Sequence, residues 1–358
     1  MNVLFLLNLA GQGGTERYIR TLVEKLDGRE ISASFVCNEP GPLLDWMQAR
    51  GVPCRQLTMT GPFDFRAAKE LAAICRADGI DVIHTHFLRE EYIALLAKRM
   101  VRGLRVVNTY HILTENGTAI RLCNRLLCPS LDAQIANCTA GRERLIQNGV
   151  PAGKIRLIPN AVDLAAFEGA DGAAVRRELG IPAEDFMLLF AARFVEGKGH
   201  LILLDALRRL RERTARPVWA VLPGVGELLE PVKAAASDLD RVLFPGYRSD
   251  MAGFYAAADV TVCPSESETL SLLLLESLAS GTPVIASAVG GMLDIVTPEH
   301  DCGLSFPVGD AAALADAILR LMEDPALRSR FAAGAKKTAR AEYGVDAVAR
   351  EILKTYQG

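Results

Sequence analysis

A chain of 358 residues, half of them hydrophobic and with a net charge of −3, has material for two buried cores and no bias toward nucleic acid. No apolar run approaches the roughly 20 residues that span a bilayer. The eight cysteines form no CxxC pair, which argues against a disulfide frame or a zinc site.

Taken in order, the chain alternates short apolar strands with amphipathic helices. MNVLFLLNLAGQGG has no basic n-region and reads as a first strand, Asn2–Asn8, entering a glycine loop. That favours a cytoplasmic protein. A helix over Thr15–Leu26 follows, with Ile19, Leu22, Val23 and Leu26 on one face and Thr15 as its N-cap. Further strands are predicted at 31–36, 54–59, 81–86, 105–111, 133–137 and 155–159. The last residues of the 81–86 strand place His84 and His86 on one face.

The alternation then restarts, with buried runs at 186–192, 219–222, 241–244, 260–263 and 283–287. The boundary between the two series is predicted after residue 163, within the stretch around EGADG, and from Ala311 onward the chain reads as helices only. Such alternation predicts an α/β protein with two Rossmann-like parallel-sheet domains, 1–163 and 164–342. The apolar stripe Val345, Val348, Ile352 and Tyr356 on the last helix, 343–358, needs a partner surface. The second sheet already has its covering helices, so the first domain is the expected host.

Charge divides unevenly. Residues 1–163 carry 20 basic and 16 acidic side chains, whereas 164–358 carry 20 and 27. Lys98, Arg99, Arg102, Arg105, Arg121 and Arg125 concentrate in the first domain beside Ile120, Leu122 and Leu126. A basic amphipathic surface of this kind suits an anionic membrane or a phosphate-bearing acceptor, and equally an ordinary solvated face.

In open parallel sheets, ligands bind beyond the carboxyl ends of the strands, so residues just after strands come first as candidates. Gly11, Gly13 and Gly14 lie between the first strand and helix, where glycine admits close backbone approach and a helix N-terminus offers N–H groups to an anion. The pattern is not G-x-G-x-x-G, and a simple tight turn explains it too. Arg193 and Lys198, in AARFVEGKG, follow a buried strand and could hold a diphosphate as a planar fork and a point charge. In PSESETLSLLLLE, Glu268 falls at a strand end, Thr269, Leu270 and Ser271 open a helix, and Glu276 could accept the hydroxyls of a ribose.

PSESETLSLLLLESLASGTPVIAS resembles the E-x7-E segment of the family 4 retaining glycosyltransferases (glycosyl transferases group 1), whose fold is GT-B, two Rossmann-like domains facing across a cleft. GGTE with Glu16, DVIHTH, NTYH, IPNAVDLAAF, AARFVEGKG, LPGVGEL, LFPGYRSDM, YAAADVTVCPS and CGLSFPVGD follow in the order of that family. Two departures stand out: Thr269-Leu270-Ser271 where Gly-Phe-Gly is frequent, in the loop that touches the sugar, and Ala161 where glycine is usual. The resemblance implies a metal-independent hexosyltransferase that uses a nucleotide diphosphate sugar, UDP-linked, as co-substrate and no cofactor. Its acceptor would be a saccharide or lipid-linked compound in cell-surface glycan synthesis, with the first domain on the acceptor side. It assigns Arg193 and Lys198 to the donor diphosphate, Glu276 to the ribose, Glu268 to the donor sugar near the reaction centre, and Gly246 and Tyr247 to the base. Leu270 and Ser271 border the donor, Gly13 and Gly14 the phosphate and acceptor, and His111 the sugar. Read without the resemblance, His111 is a core residue satisfied by backbone.

Alternatives are another GT-B enzyme, such as a nucleotide-sugar epimerase or a phosphorylase, and a non-catalytic sugar-nucleotide-binding protein. Asp238-Leu239-Asp240 matches the D-x-D of metal-dependent transferases, but it precedes a strand, the wrong end for a ligand, and solvated carboxylates are expected there.

Overall fold

The apolar runs become two parallel sheets in the computed structural model, which describes residues 1–358. The chain divides into unit 1, Met1–Ala161 with Val345–Gly358, and unit 2, Val162–Gly344. The division comes two residues before the expected boundary.

Unit 1 runs β1 (Asn2–Leu9), α1 (Gly14–Leu26), β2 (Ser32–Glu39), α2 (Pro42–Ala49), β3 (Cys54–Gln56), α3 (Phe65–Ala77), β4 (Val82–Thr85), α4 (Leu88–Lys98), β5 (Arg105–Tyr110), α5 (Thr118–Leu127), β6 (Ala133–Ala136), α6 (Thr139–Gln147) and β7 (Ile155–Leu157). Its sheet has the order β3-β2-β1-β4-β5-β6-β7, all parallel. Burial explains why NVLFLLNL is apolar throughout: helices cover both faces, so Val3, Phe5 and Leu7 enter one core and Leu4 and Leu6 the other. Two expectations shift. The strand predicted at 54–59 pairs only over Cys54–Gln56, because it is an edge with Arg55 and Gln56 exposed. The N-cap of α1 is Gly13 rather than Thr15, since Glu16 at the third helical position folds back onto the loop amides and takes over the capping.

Unit 2 runs α7 (Gly172–Leu179), β8 (Phe186–Leu189), α8 (His200–Arg211), β9 (Val218–Val221), α9 (Leu229–Ala235), β10 (Val242–Leu243), α10 (Met251–Ala257), β11 (Val260–Cys263), α11 (Leu272–Ser280), β12 (Val284–Ser287), α12 (Met292–Ile295), β13 (Gly303–Phe306), α13 (Ala311–Glu323) and α14 (Pro325–Thr338). Its sheet order is β10-β9-β8-β11-β12-β13. Sequence reading missed β13, a four-residue edge strand that is only partly buried and so shows no clear apolar run. Unit 2 begins and ends at one place, where Val162 donates its N–H to the Tyr343 carbonyl at 2.9 Å and bridges Gly344.

The last helix, α15 (Val345–Gln357), belongs to unit 1. Val345, Val348, Ile352 and Tyr356 are buried against α1, and Lys25 of α1 pairs with Asp346. At its far end the Tyr356 hydroxyl meets His84 Nδ1 at 2.6 Å, and Arg105 Nη1 donates to the Gln357 carbonyl at 2.6 Å.

Candidate active site

Each sheet reverses direction of growth next to its first strand, between β1 and β4 in unit 1 and between β8 and β11 in unit 2. The loops leaving such a pair diverge and open a crevice at the strands' carboxyl ends. Both switch points carry the candidate residues.

In unit 2 the β8–α8 loop holds Arg193 and Lys198, and the β11–α11 loop holds Glu268. The two loops are interlocked. Glu266 donates its N–H to the Gly197 carbonyl at 2.8 Å, and Lys198 Nζ lies 2.5 Å from Glu268 Oε1. Ser265 Oγ, 3.1 Å from the same carboxylate oxygen, fixes it further. Gly199 makes this approach possible: it adopts φ +81°, and a Cβ there would collide with the Pro264 backbone carbonyl. Arg193 is exposed, and its guanidinium takes part in no ion pair.

Glu268 therefore lies in a loop five residues past β11, not at a strand end, and α11 opens at Leu272 with Ser271 as its N-cap. Thr269 and Leu270 precede the helix, and Leu270 and Ser271 are buried. Glu276 sits in the second turn of α11, buried, and its Oε2 accepts a 2.8 Å hydrogen bond from the Tyr255 hydroxyl. Gly281 ends that helix in the left-handed conformation. Gly246, at φ +74°, accepts the Gly224 N–H at 2.8 Å, and Tyr247 beside it is 64% exposed. Asp238 and Asp240 are exposed, as expected of solvated carboxylates, and Asp238 also pairs with Arg208, whose Nε lies at 2.9 Å and Nη2 at 2.7 Å. No group of three His, Cys, Asp or Glu side chains is placed to hold a metal ion.

In unit 1 the loop after β1 is closed by its own acid. Glu16 accepts from Gly13 N at 2.7 Å and from Gly11 N at 3.2 Å. Behind it lies a cluster of histidines. His86 Nδ1 is 3.1 Å from His111 Nε2, and His84 Nε2 is 2.7 Å from Thr109 Oγ1, whose other neighbour is the Tyr18 hydroxyl at 3.2 Å. Burial pushes His84 and His111 down to about 3 and His86 well below the usual range. These imidazoles are neutral near pH 7, so His111 can act there as a hydrogen-bonding group but not as a cation.

Sequence reading passed over the acids that follow β4. Glu90 and Glu91, in the first turn of α4, are buried at 0% and 5% exposure. Glu90 Oε1 accepts the Asn8 N–H at 2.6 Å, while burial pushes Glu91 up to about 7. Two acids in the first turn of the helix that follows a strand, in HTHFLREEY, were the available signal. Of the basic residues singled out in unit 1, Lys98 pairs with Asp132 and Arg121 with Glu115, while Arg99, Arg102 and Arg125 are exposed.

Comparison with known proteins identifies this arrangement. Residues 12–166 match the family described as Glycosyltransferase Family 4, and residues 172–338 match Glycosyl transferases group 1. A D-inositol 3-phosphate glycosyltransferase of Frankia alni is 33% identical, over 86% of this chain and 85% of its own length. One of Thermomonospora curvata is 30% identical, over 97% and 90%. Among solved structures, Anabaena HepE in complex with UDP matches over the whole of both chains with a TM-score of 0.89 at 22% identity. Sucrose-phosphate synthase from Thermosynechococcus elongatus matches with 0.79 at 24% identity, over 100% of this chain and 98% of its own. Two parallel-sheet units of this topology are the GT-B fold, and the chain belongs to the family 4 glycosyltransferases.

Proposed function

We propose that this glycosyltransferase moves a sugar from a UDP-linked donor, bound by unit 2, to a hydroxyl of a saccharide or lipid-linked acceptor bound by unit 1, with retention at the anomeric carbon and in the service of glycan synthesis. The observation that carries the reading is the interlocked pair of loops at the unit 2 switch point. They set the Lys198 ammonium and the Glu268 carboxylate 2.5 Å apart, with the Arg193 guanidinium on the same loop. HepE, solved with UDP and with UDP-glucose, supports the choice of nucleotide.

In the proposed reaction the bond between the anomeric carbon and the diphosphate oxygen breaks, and the electron pair leaves with the diphosphate. The acceptor oxygen bonds to the same carbon on the same face, and its proton passes to the departing phosphate oxygen. Arg193 and Lys198 stabilise the charge that develops on the diphosphate. Glu276, held by Tyr255, takes the ribose, and Gly246 and Tyr247 border the base. Glu268 orients Lys198 and contacts the donor sugar, while the neutral His111 hydrogen-bonds the sugar from unit 1.

The test is a panel of nucleotide sugars with wild type, Arg193→Ala and Lys198→Ala, scored by nucleotide release and by NMR of the first-formed product, with and without EDTA. Removal of one preorganised donor at a developing charge costs about 2.7–4 kcal/mol, so each variant should lose about 10²–10³ in turnover. An inverted product, activity abolished by EDTA, or near-wild-type rates in both variants would each sink the corresponding part of the reading. Leu122 and Leu126, 57% and 70% exposed on α5 beside Arg121 and Arg125, further support peripheral contact of unit 1 with an anionic membrane.

A further inference from the structure

We infer that the unit 1 pocket takes a neutral, polyhydroxylated acceptor and discriminates against the phosphorylated form of the same compound. The inference rests on unit 1 being the acceptor side of the transferase.

A cavity of about 570 Å³ opens at the carboxyl ends of β1, β4 and β5 and is lined by the first turn of α4 and by residues of β6, α5 and α6. That volume falls in the range of roughly 300–1,000 Å³ typical of small-molecule sites. Three of its lining residues are buried yet incompletely bonded, His86 at Nε2 among them. Gln134 on β6 is 0% exposed, and neither its carboxamide oxygen nor its nitrogen has a partner. Glu90 is 0% exposed; one carboxylate oxygen holds the Asn8 amide and the other is open. Gln134 lies in register with Asn108, which lies in register with Thr85, but the Thr85 hydroxyl already donates to Asn108 Oδ1 at 2.8 Å. The row therefore ends on an amide with one donor side and one acceptor side to satisfy.

A buried polar group left open loses the hydrogen bonds it made to water in the unfolded chain, so these atoms call for a partner inside the cavity. A hydroxyl both donates and accepts, and adjacent hydroxyls on a ring can serve the two ends of one carboxamide together with a carboxylate. The lining has side chains that recognise hydroxyls without adding positive charge: Asn108 joins Gln134 and three glutamates, while Asn124 and Asn148 are held by Tyr92, Asn116, Thr114 and each other.

The electrostatics reject an anion. Arg89 is the one cationic side chain in the lining, and its Nη1 is committed to Asn8 Oδ1 at 2.7 Å and the Met59 carbonyl at 3.2 Å. His86 and His111 are neutral. Two helix N-termini at the pocket carry carboxylates of their own: Glu90 and Glu91 stand in the first turn of α4, and Glu16 occupies the amides of the glycine loop before α1. A phosphate placed here would meet acids rather than the arginine or lysine forks that recognise it. The relatives named D-inositol 3-phosphate glycosyltransferases carry a phosphorylated compound in their name, and on this reading the present chain departs from them.

The experiment uses matched pairs that differ only by a phosphate: myo-inositol and D-inositol 3-phosphate, glucose and glucose 6-phosphate, fructose and fructose 6-phosphate. With UDP-glucose as donor probe, nucleotide release above the acceptor-free rate is measured for each member. Saturation-transfer NMR on the same pairs reads binding without the chemistry. The expected result is a kcat/KM at least tenfold higher for the neutral member of a pair, with binding in the same order. Equal or better use of a phosphorylated member, or no neutral member that binds, overturns the inference. A neutral member that binds while no nucleotide sugar is bound or consumed counts against the donor reading and leaves the pocket assignment standing. Gln134→Leu keeps the volume and removes both polar ends. It should raise acceptor KM at least tenfold with a smaller change in kcat, and a loss confined to kcat would show that Gln134 is structural.

Discussion

Gly199→Ala tests whether the donor side depends on the interlock between the β8–α8 and β11–α11 loops. Two terms add. A side chain held in the left-handed region costs roughly 1–2 kcal/mol. The new methyl would also lie against the Pro264 backbone carbonyl, closer than real Cβ contacts allow, so the loops must separate by about 1 Å, an overpacking that costs about 1–3 kcal/mol. Gly180 supplies the control: its φ is +69°, it caps α7, and nothing lies within 4 Å of a Cβ built there. Gly180→Ala should show the first term alone. In a unit of this size each kcal/mol moves Tm by roughly 2–4 °C, so the control should fall by roughly 2–8 °C and Gly199→Ala by roughly 4–20 °C. Separation of the loops draws Lys198 from Glu268, and a misplacement of about 1 Å can cost about 10²-fold in rate. The assays are thermal unfolding and nucleotide release from UDP-glucose. If the two variants match in both, the loops are not interlocked through Pro264 and the geometric argument for the donor side fails.

Two further outcomes follow from unit 1. Glu91, pushed up to about 7 by burial, stabilises the fold fully below its ordinary 4.5, and that contribution is lost as pH rises through 7. Glu91→Gln should therefore gain on wild type by up to about 3 kcal/mol between pH 4.5 and pH 8 in urea unfolding, the histidine contributions being common to both proteins; a difference independent of pH would show that the carboxyl titrates alike in the folded and unfolded chain. For the membrane, flotation with anionic and neutral vesicles at low and high salt should show binding to anionic vesicles alone, weakened by salt. Failure to float with either, or no effect of charge reversal at Arg121 and Arg125, refers the acceptor to solution.

Much of the fold was legible because its strands are buried on both faces. Runs such as FMLL and VTVC admit no other reading between amphipathic helices, and the stripe on α15 named its own host by requiring one. The places where reading failed are edges and side-chain capping. β13 is a partly buried edge with the sequence GLSF, and Thr15 lost the N-cap to Gly13 because its neighbour Glu16 reaches back to the loop amides. At the candidate site, Arg193, Lys198 and Glu268 were singled out by position after strands and Glu276 by its spacing from Glu268. Gln134 was not, because AQIA looks like any short strand and its isolation emerges only when the register sets it beside Asn108 and the helices close over it. The Asp238 pairing was hidden for a similar reason, since Arg208 lies thirty residues away in sequence.

The seam at Val162 and Gly344 bears on how the protein is made. Unit 2 is an uninterrupted insertion, 162–344, whereas unit 1 waits for residues 345–357, whose Tyr356 reaches a histidine 272 positions upstream. Vectorial synthesis usually lets the N-terminal body fold first. Here the order is inverted: on the ribosome the second body has all its parts while the first still lacks the helix that packs on α1. The nascent chain thus carries an unclosed apolar surface through the synthesis of about half its length, a natural substrate for a chaperone until α15 arrives to seal it.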